Sequence, residues 1–408
     1  MKTVVIGGGA AGMMAAVTAA RYGSDVTLLE RNEKLGKKIY ITGKGRCNVT
    51  NNCDIDVFLK NIVSNPKFMM SALHAFSPAD LMGFLESGGL ALKTERGNRV
   101  FPASDKASDV TKVFEKLLRK YNVEVVFNCV ATSFEAENGV ITGVVTNLGK
   151  YTADRFVLCS GGVSYPSTGS DGLGLKLAGA LGHKIVEPKA ALSALIADTP
   201  PSLAGLSLKN VRASVTENGR VLCDEFGEML FTHRGVSGPI ILTLSSKIAG
   251  MDFSKLRLSV DLKPALGEKE LDARVLRDFS AVSNKCFSNS LDNLLPHSLI
   301  SVILEKSGIA LGTKVHQITS AQRKGLVGLL KNLTFNLISA EDISAAVVTK
   351  GGVDVKQINP STMRSKLLSN LYFAGEMIDV DALTGGFNLQ CAFSTGFLAG
   401  KSCAQDNQ

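Results

Sequence analysis

Three β-forming residues, Val4-Val5-Ile6, run directly into Gly7-Gly8-Gly9-Ala10-Ala11-Gly12, and a stretch of small residues over 13–22 follows. Few folds accept that order. The apolar run reads as a buried strand, the glycines as a tight turn, and the next stretch as a helix that Gly23 can cap. Residues 25–30 form a second β run, so the first thirty residues make a βαβ unit, which implies a parallel sheet. The turn fits G-x-G-x-x-G. Gly7 permits the bend out of the strand, Gly9 lets the backbone approach a pyrophosphate, and Gly12 lets the helix pack close to the sheet. Ala10 and Ala11 open the helix, whose N-terminal amides and dipole favour phosphate. Glu30, at the end of the second β run, is placed to accept hydrogen bonds from a ribose 2′-OH and to repel a 2′-phosphate. NAD and FAD satisfy this half of the site equally.

A second segment separates them. The β run Leu371-Tyr372-Phe373 leads through Gly375 and Glu376 to the acids Asp379 and Asp381. Thr384-Gly385-Gly386-Phe387-Asn388 then opens a small-residue helix over 389–400. An acid beyond a strand end, Asp379, can hold ribityl hydroxyls. A helix N-terminus at Gly386 to Asn388 can face the flavin N1–C2=O edge, where negative charge grows on reduction. NAD-only dehydrogenases do not need this closing element, so the expected cofactor is FAD. The glycine run over 169–174 precedes a helix but follows no β run, so no second dinucleotide turn is expected. NADH or NADPH is expected to dock transiently, reduce FAD and leave.

The 408 residues suggest two or three domains, and 45% hydrophobic with 20% charged residues excludes a disordered chain. No apolar run reaches the roughly 18 residues of a membrane span, and Lys2 leads straight into a strand rather than a signal peptide. Eight scattered cysteines in a chain this long point to a reducing cytosol, hence a cytoplasmic protein. The formal charge of +8 fits either lysines spread over the surface or a basic face for RNA. Its densest cluster, Arg31, Lys34, Lys37, Lys38, Lys44 and Arg46, lies where a pyrophosphate is expected. Residues 66–88 and 109–121 read as helical, and 123–130 and 139–147 as strands, the latter paired with 151–155. Residues 156–159 form a short buried strand running into Gly161-Gly162. After about residue 188 the glycine turns thin out. Strands over 208–217 and 255–262, then helices over 268–279, 299–306 and 321–330, read as an inserted domain. The expected division is 1–190, 191–345 and 346–408.

Five stretches carry a family resemblance: Leu29-Glu30-Arg31-Asn32-Glu33-Lys34-Leu35-Gly36-Lys37-Lys38, Thr42-Gly43-Lys44-Gly45-Arg46-Cys47-Asn48-Val49-Thr50-Asn51, Gly161-Gly162-Val163-Ser164-Tyr165-Pro166, Thr232-His233-Arg234-Gly235-Val236-Ser237-Gly238-Pro239, and 371–400. With these, the chain resembles the BaiN/RdsA family of FAD-dependent oxidoreductases over nearly its whole length. The resemblance implies an α/β fold: a Rossmann-like, glutathione-reductase-type FAD-binding domain, discontinuous, with a β-barrel-like and helical insertion. It places Glu30, Arg46, Asn48, Asp379, Gly386 and Asn388 on or near FAD. Together with the turns, the expected cofactor set is Gly7, Gly9, Ala10, Ala11, Gly12, Glu30, Arg31, Lys38, Gly45, Arg46, Asn48, Val130, Gly161, Gly375, Glu376, Asp379, Gly385, Gly386 and Asn388. Some family members look like reductases of 3-oxo-Δ4,6 bile-acid intermediates, others like dihydrouridine synthases of ribosomal RNA. Both substrates carry a C=C conjugated to a carbonyl. Two positions depart from the family's usual form: Lys44 stands in place of a glycine and Arg364 in place of a glutamate.

Reduction of such a bond needs a polarised carbonyl and a proton for the α-carbon. Tyr165, His233 and Arg46 are the candidates for those tasks, with a packing wedge, a turn residue and a surface cation as the plain alternatives. Cys47 and Cys53 have C-x5-C rather than C-x4-C spacing, which favours packed thiols over a redox dithiol. Cys391, on the closing helix, reads as packed. His74, His183, His297 and His316 lack partners at ligand spacing, so no metal is expected. An amine oxidase and a non-catalytic flavin-binding protein remain open as other functional classes, as does the oligomeric state.

Overall fold

In the computed structural model, residues 1–405 are described. The chain divides into two compact units, one formed by Met1–Ala191 with the C-terminal stretch from Asp342, the other by Leu192–Glu341.

The first unit is built on a five-stranded parallel sheet of β1 (Lys2–Ile6), β2 (Asp25–Leu29), β3 (Glu124–Val126), β4 (Arg155–Leu158) and β5 (Leu371–Phe373), in the order β5-β4-β1-β2-β3. The central strands are apolar on both faces, as a covered parallel sheet requires: Val4, Val5, Ile6, Phe156, Val157 and Leu158 are all buried. Helix α1 (Ala10–Arg21) buries every residue from Ala10 to Ala19, because the sheet covers one side and α2 (Phe387–Gln405) the other. The two helices meet through small residues. A Cβ on Gly396 would fall 2.4 Å from the Ala11 carbonyl oxygen, and one on Gly400 2.4 Å from that of Ala15. Interhelical distance is set by the side chains at the contact, so these glycines bring α2 tight onto α1.

Three expectations are corrected. The helix expected over 66–88 is broken into a 3-10 turn at Pro66–Met69 and helices Met70–Ala75 and Pro78–Ser87. Ser77 caps the last of these in a capping box with Asp80, and Pro78, which lacks an N–H, stands at its first turn. The strand expected over 123–130 keeps only β3. Asn128 turns the chain left-handed (φ 53°), and the Asn147 side chain takes the Val130 N–H at 2.6 Å. The hairpin differs too: Val140–Thr146 pairs with Ala131–Glu137 on one side and Gly149–Tyr151 on the other, which frees Arg155 for β4.

The second unit is a closed six-stranded antiparallel barrel with helices. Its strands are Leu195–Ala197, Ser207–Glu217, Arg220–Thr232, Gly235–Ser237, Leu256–Asp261 and Leu333–Ala340, and the first closes on the last. Alternate residues point inward, and Ala213, Val215, Phe231, Leu258, Val260 and Phe335 belong to one packed core. Among the described residues, no helix is long and apolar enough to cross a membrane.

Candidate dinucleotide site

The turn after β1 separates its glycines by task. Gly7 has φ 103°, and a Cβ there would lie 2.6 Å from the Cys159 carbonyl oxygen. A Cβ on Gly12 would lie 1.7 Å from the Gly7 oxygen. Both glycines are demanded by packing within the protein. A Cβ on Gly9 meets nothing within 4 Å. The first helical bond of α1 runs from Met13 N–H to the Gly9 oxygen at 2.9 Å, so the amides before it, those of Ala10 and Ala11 included, lie at the helix end open to an anion.

Glu30 is 6% exposed and already works for the protein. It accepts from Gly8 N–H, Asn32 N–H and the Asn32 side-chain amide, each at 2.7 Å. Of roughly four lone-pair sites on a carboxylate, one remains for a ribose hydroxyl. Arg31 is engaged by Asp171 at 2.7 Å and by the Gly169 carbonyl. Lys38, expected at the cofactor together with Glu376, is paired with Glu376 at 2.8 Å. Glu376 also accepts from the Ser164 hydroxyl and Thr349 N–H, at 3.0 and 2.9 Å. Burial pushes this carboxyl up, but the Lys38 charge and these hydrogen bonds outweigh it, and Glu376 lies below the ordinary glutamate value. The Thr349 hydroxyl accepts from Val163 and Ser164 N–H, which holds the turn that begins at Gly161.

Tyr165 sits on that turn in a left-handed conformation (φ 51°), half-buried, its N–H donating to the Ser344 carbonyl at 3.0 Å. Such a conformation is unusual for a bulky residue and costs about 1–3 kcal/mol, which makes the position a functional candidate. The same holds for the loop before Asn48, where Lys44 and Cys47 are left-handed beside Gly45. Arg46 on this loop pairs with Glu95 and with Asp105, and its guanidinium lies 4.2 Å from the Phe101 ring centroid. The hydrogen bonds it donates to Glu95 and Asp105 raise its pKa, and two carboxylates already balance its charge. Cys47 is fully buried and its thiol is pushed up to about 12 by burial, while burial also raises half-buried Cys53. Neither is a ready thiolate. Cys391 is likewise pushed up to about 12 by burial. His183 is buried, packed edge-on against Phe373, with Nε2 2.8 Å from the Ser365 hydroxyl. Tyr165 and Arg46 belong to the first unit. His233 belongs to the second, exposed on the tight turn between Arg220–Thr232 and Gly235–Ser237.

The closing turn is clamped from the other side of the first unit's sequence. Gly386 has φ 96°, and a Cβ there would lie 2.4 Å from the Thr50 backbone. The Asn51 amide donates to the Gly385 carbonyl at 3.1 Å. The Thr50 hydroxyl donates to Gln390 at 2.6 Å, and the Gln390 amide donates to the Phe76 carbonyl and the Ser394 hydroxyl. Gln390 and Thr50 escaped the sequence reading. The available signal was a glutamine amid small and apolar residues of the closing helix. Asn388 brackets Ala382, accepting its N–H at 2.9 Å and donating to its carbonyl at 2.7 Å. Gly375 N–H donates to the Thr395 hydroxyl. Asp379 accepts from the Asn65 amide at 3.0 Å, and burial pushes its carboxyl up. Asn48 Oδ1 and both oxygens of Asp381 are buried and have no hydrogen-bond partner. The open space over Gly9 and the free helix end fit the pyrophosphate of a bound dinucleotide flavin.

The fold and this turn define a Rossmann-type dinucleotide-binding protein. Residues 1–402 match the family described as HI0933-like protein Rossmann domain. A 3-dehydro-bile acid delta(4,6)-reductase of Clostridium scindens is 32% identical, over 98% of each chain. A ribosomal RNA dihydrouridine synthase of Escherichia coli is 30% identical, over 99% of this chain and 97% of its own. The solved 3-ketosteroid-delta4-(5alpha)-dehydrogenase of Rhodococcus jostii superposes with a TM-score of 0.55 at 15% identity, covering 99% of this chain and 96% of that one, a likeness of fold. The chain belongs to the HI0933-like family, the BaiN/RdsA family of FAD-dependent oxidoreductases that its motifs resemble.

Proposed function

We propose that this chain is an FAD-dependent reductase of a carbonyl-conjugated C=C bond, with NADH or NADPH as donor and a 3-oxo-Δ4/Δ4,6 steroid as substrate. One observation carries the reading: full-length relatives named for two unlike substrates share this bond chemistry. Bound FAD would supply hydride to the β-carbon. The chain's own residues do the rest. The space over Gly9 and the α1 N-terminus accommodate the pyrophosphate. The remaining lone pair of Glu30 takes a ribose hydroxyl. The N-terminus of α2, fixed by Thr50 and Gln390, stabilises the charge that grows on reduction. Tyr165 holds a proton for the α-carbon, and its strained backbone fixes where that proton is offered. Arg46, balanced by Glu95 and Asp105, anchors its loop. The same reading sets the work in the cytoplasm, where NADH and NADPH are available.

Anaerobic stopped flow tests the donor: NADH or NADPH bleaches the flavin, and failure of both removes the reductase reading. Incubating reduced enzyme with a 3-oxo-Δ4,6 steroid should give a two-hydrogen mass gain. The formal charge of +8 favours a second reading, uridine reduction in ribosomal RNA, which the same mass gain on an RNA substrate would reveal. Tyr165→Phe should lower turnover roughly tenfold or more while leaving flavin reduction by the donor intact.

A further inference from the structure

Tyr165 stands immediately before Pro166. A residue in that position is pushed toward extended backbone, because the proline ring crowds its α region. Tyr165 instead holds φ 51° and ψ 63°. Strain of this kind persists only where the surroundings over-determine it, and here the bonds that do so can be named. The Tyr165 N–H donates to the Ser344 carbonyl at 3.0 Å, and the Tyr165 carbonyl accepts from the Thr168 N–H at 2.9 Å and the Thr168 hydroxyl at 2.8 Å. The phenol takes no part in this. The ring is half-buried, and its hydroxyl has no hydrogen-bond partner among the described residues.

One side chain holds the approach to Tyr165. Thr349 lies on Val348–Val353, which pairs with Ile185–Ala191, and it is fully buried. Its hydroxyl accepts from two consecutive amides, Val163 N–H at 2.9 Å and Ser164 N–H at 3.2 Å. A hydroxyl oxygen has two lone pairs, and this one spends both on the residues leading into Tyr165. A Cβ on Gly162 would lie 2.2 Å from the same oxygen, so the turn rests directly on it. Thr349 is itself fixed: its N–H donates to Glu376, which also takes the Ser164 hydroxyl. Without the Thr349 oxygen two amides lose their acceptor, and the turn regains partners only by moving. The residue before the proline is then free to fall back to extended backbone, which swings the phenol away.

We propose that Thr349 is a positioning residue for Tyr165, its hydroxyl holding the turn in the strained form that presents the phenol to the substrate. This rests on the reading of Tyr165 as proton donor above. In that step Tyr165 gives its O–H proton to the α-carbon of the enolate formed when hydride reaches the β-carbon, and the phenolate regains a proton from water. Thr349 acts only through Tyr165, because its own hydroxyl is already committed to the turn.

The test uses the full chain as wild type, Tyr165→Phe, Thr349→Val, Thr349→Ser, and Thr349→Val combined with Tyr165→Phe. In protein labelled with 3-fluorotyrosine at its six tyrosines, the fluorine resonance lost in Tyr165→Phe reports Tyr165. It should shift or split in Thr349→Val, which is close in shape but lacks the oxygen, and stay in place in Thr349→Ser, which keeps the hydroxyl. With a 3-oxo-Δ4,6 steroid, Thr349→Val should lower kcat roughly fivefold or more, keep KM and flavin reduction by the donor within about twofold, and add no more than about twofold to the loss in Tyr165→Phe. Thr349→Ser should stay within about twofold of wild type. An unmoved resonance in Thr349→Val overturns the inference whatever the substrate, as does a loss of kcat that repeats in full on Tyr165→Phe. Should Thr349→Val not fold, Thr349→Ala is read in the same way. The reading of Tyr165 fails differently. If Tyr165→Phe turns over like wild type while the resonance moves in Thr349→Val, the proton role falls and the hold of Thr349 on the turn stands.

Discussion

Gly9→Ala separates folding from cofactor binding at a single methyl group. Gly9 has φ −78° and ψ −168°, a conformation any residue adopts, and a Cβ there meets nothing within 4 Å. Removing glycine's unfolded-state freedom favours the variant by about 0.4–1 kcal/mol. Alanine is a poorer N-cap than glycine by a similar amount. The two offset, so apoprotein stability should stay within about 1 kcal/mol of wild type. The methyl would instead occupy the space through which a pyrophosphate meets the helix end. Each charge-assisted hydrogen bond lost there is worth about 1.5–3 kcal/mol, a tenfold to hundredfold or greater loss of FAD affinity. The assays are thermal unfolding of the apoprotein and fluorescence titration with FAD. Gly12→Ala is the contrast. Its Cβ would lie 1.7 Å from a backbone oxygen that cannot swing aside, so α1 must retreat and the apoprotein itself should lose about 1–3 kcal/mol. The reasoning is refuted if Gly9→Ala binds FAD within threefold of wild type, or if its apoprotein is as damaged as that of Gly12→Ala.

The clamp on α2 predicts coupling. Gln390→Leu strips the fully buried partner of Thr50, Phe76 and Ser394 and should cost about 2–4 kcal/mol in urea unfolding. Adding Thr50→Val should cost at least about 1 kcal/mol less than the sum of the single changes, and simple additivity would contradict the network. Lys38→Met leaves Glu376 without its cation and should cost about 2 kcal/mol near pH 7, discounted for the partial exposure of both side chains. Glu376 is held low in wild type, so its contribution is present at neutral pH and lost on acidification; in the variant, acid neutralises an unpaired carboxylate and stability should recover instead. Unfolding temperatures between pH 4 and pH 7 read the opposite slopes. Iodoacetamide at pH 7 should leave Cys47 unmodified in the folded protein, by mass spectrometry of the digest; rapid labelling would reopen the dithiol reading.

What was legible in the sequence is what neighbours along the chain decide. The strand, turn, helix and strand of residues 2–30 follow from local periodicity and from glycines whose demands lie within a few residues, as Gly12 against Gly7 shows. Strands over 208–217 and 255–262 were readable for the same reason, matching Ser207–Glu217 and Leu256–Asp261. Arg220–Thr232 was missed because Asp224, Glu225 and Glu228 interrupt its apolar pattern. The break at Ser77 was missed because helical spacing of apolar residues carries across a capping box.

At the site the sequence by itself determined the residue types: a dinucleotide turn, an acid after the second strand, and a second glycine turn opening a small-residue helix. Tertiary structure decided which of those residues bond one another. Lys38 and Glu376 stand 338 positions apart in the chain and are 2.8 Å apart in space, so each satisfies the other's charge. Arg46 spends its charge on Glu95 and Asp105, and Asn388 spends its amide on Ala382. Asp381 alone among the acids of the closing segment is left buried with no hydrogen-bond partner. Spacing can say that a charge is present, but only packing removes water from it and settles whether a partner or a proton takes water's place.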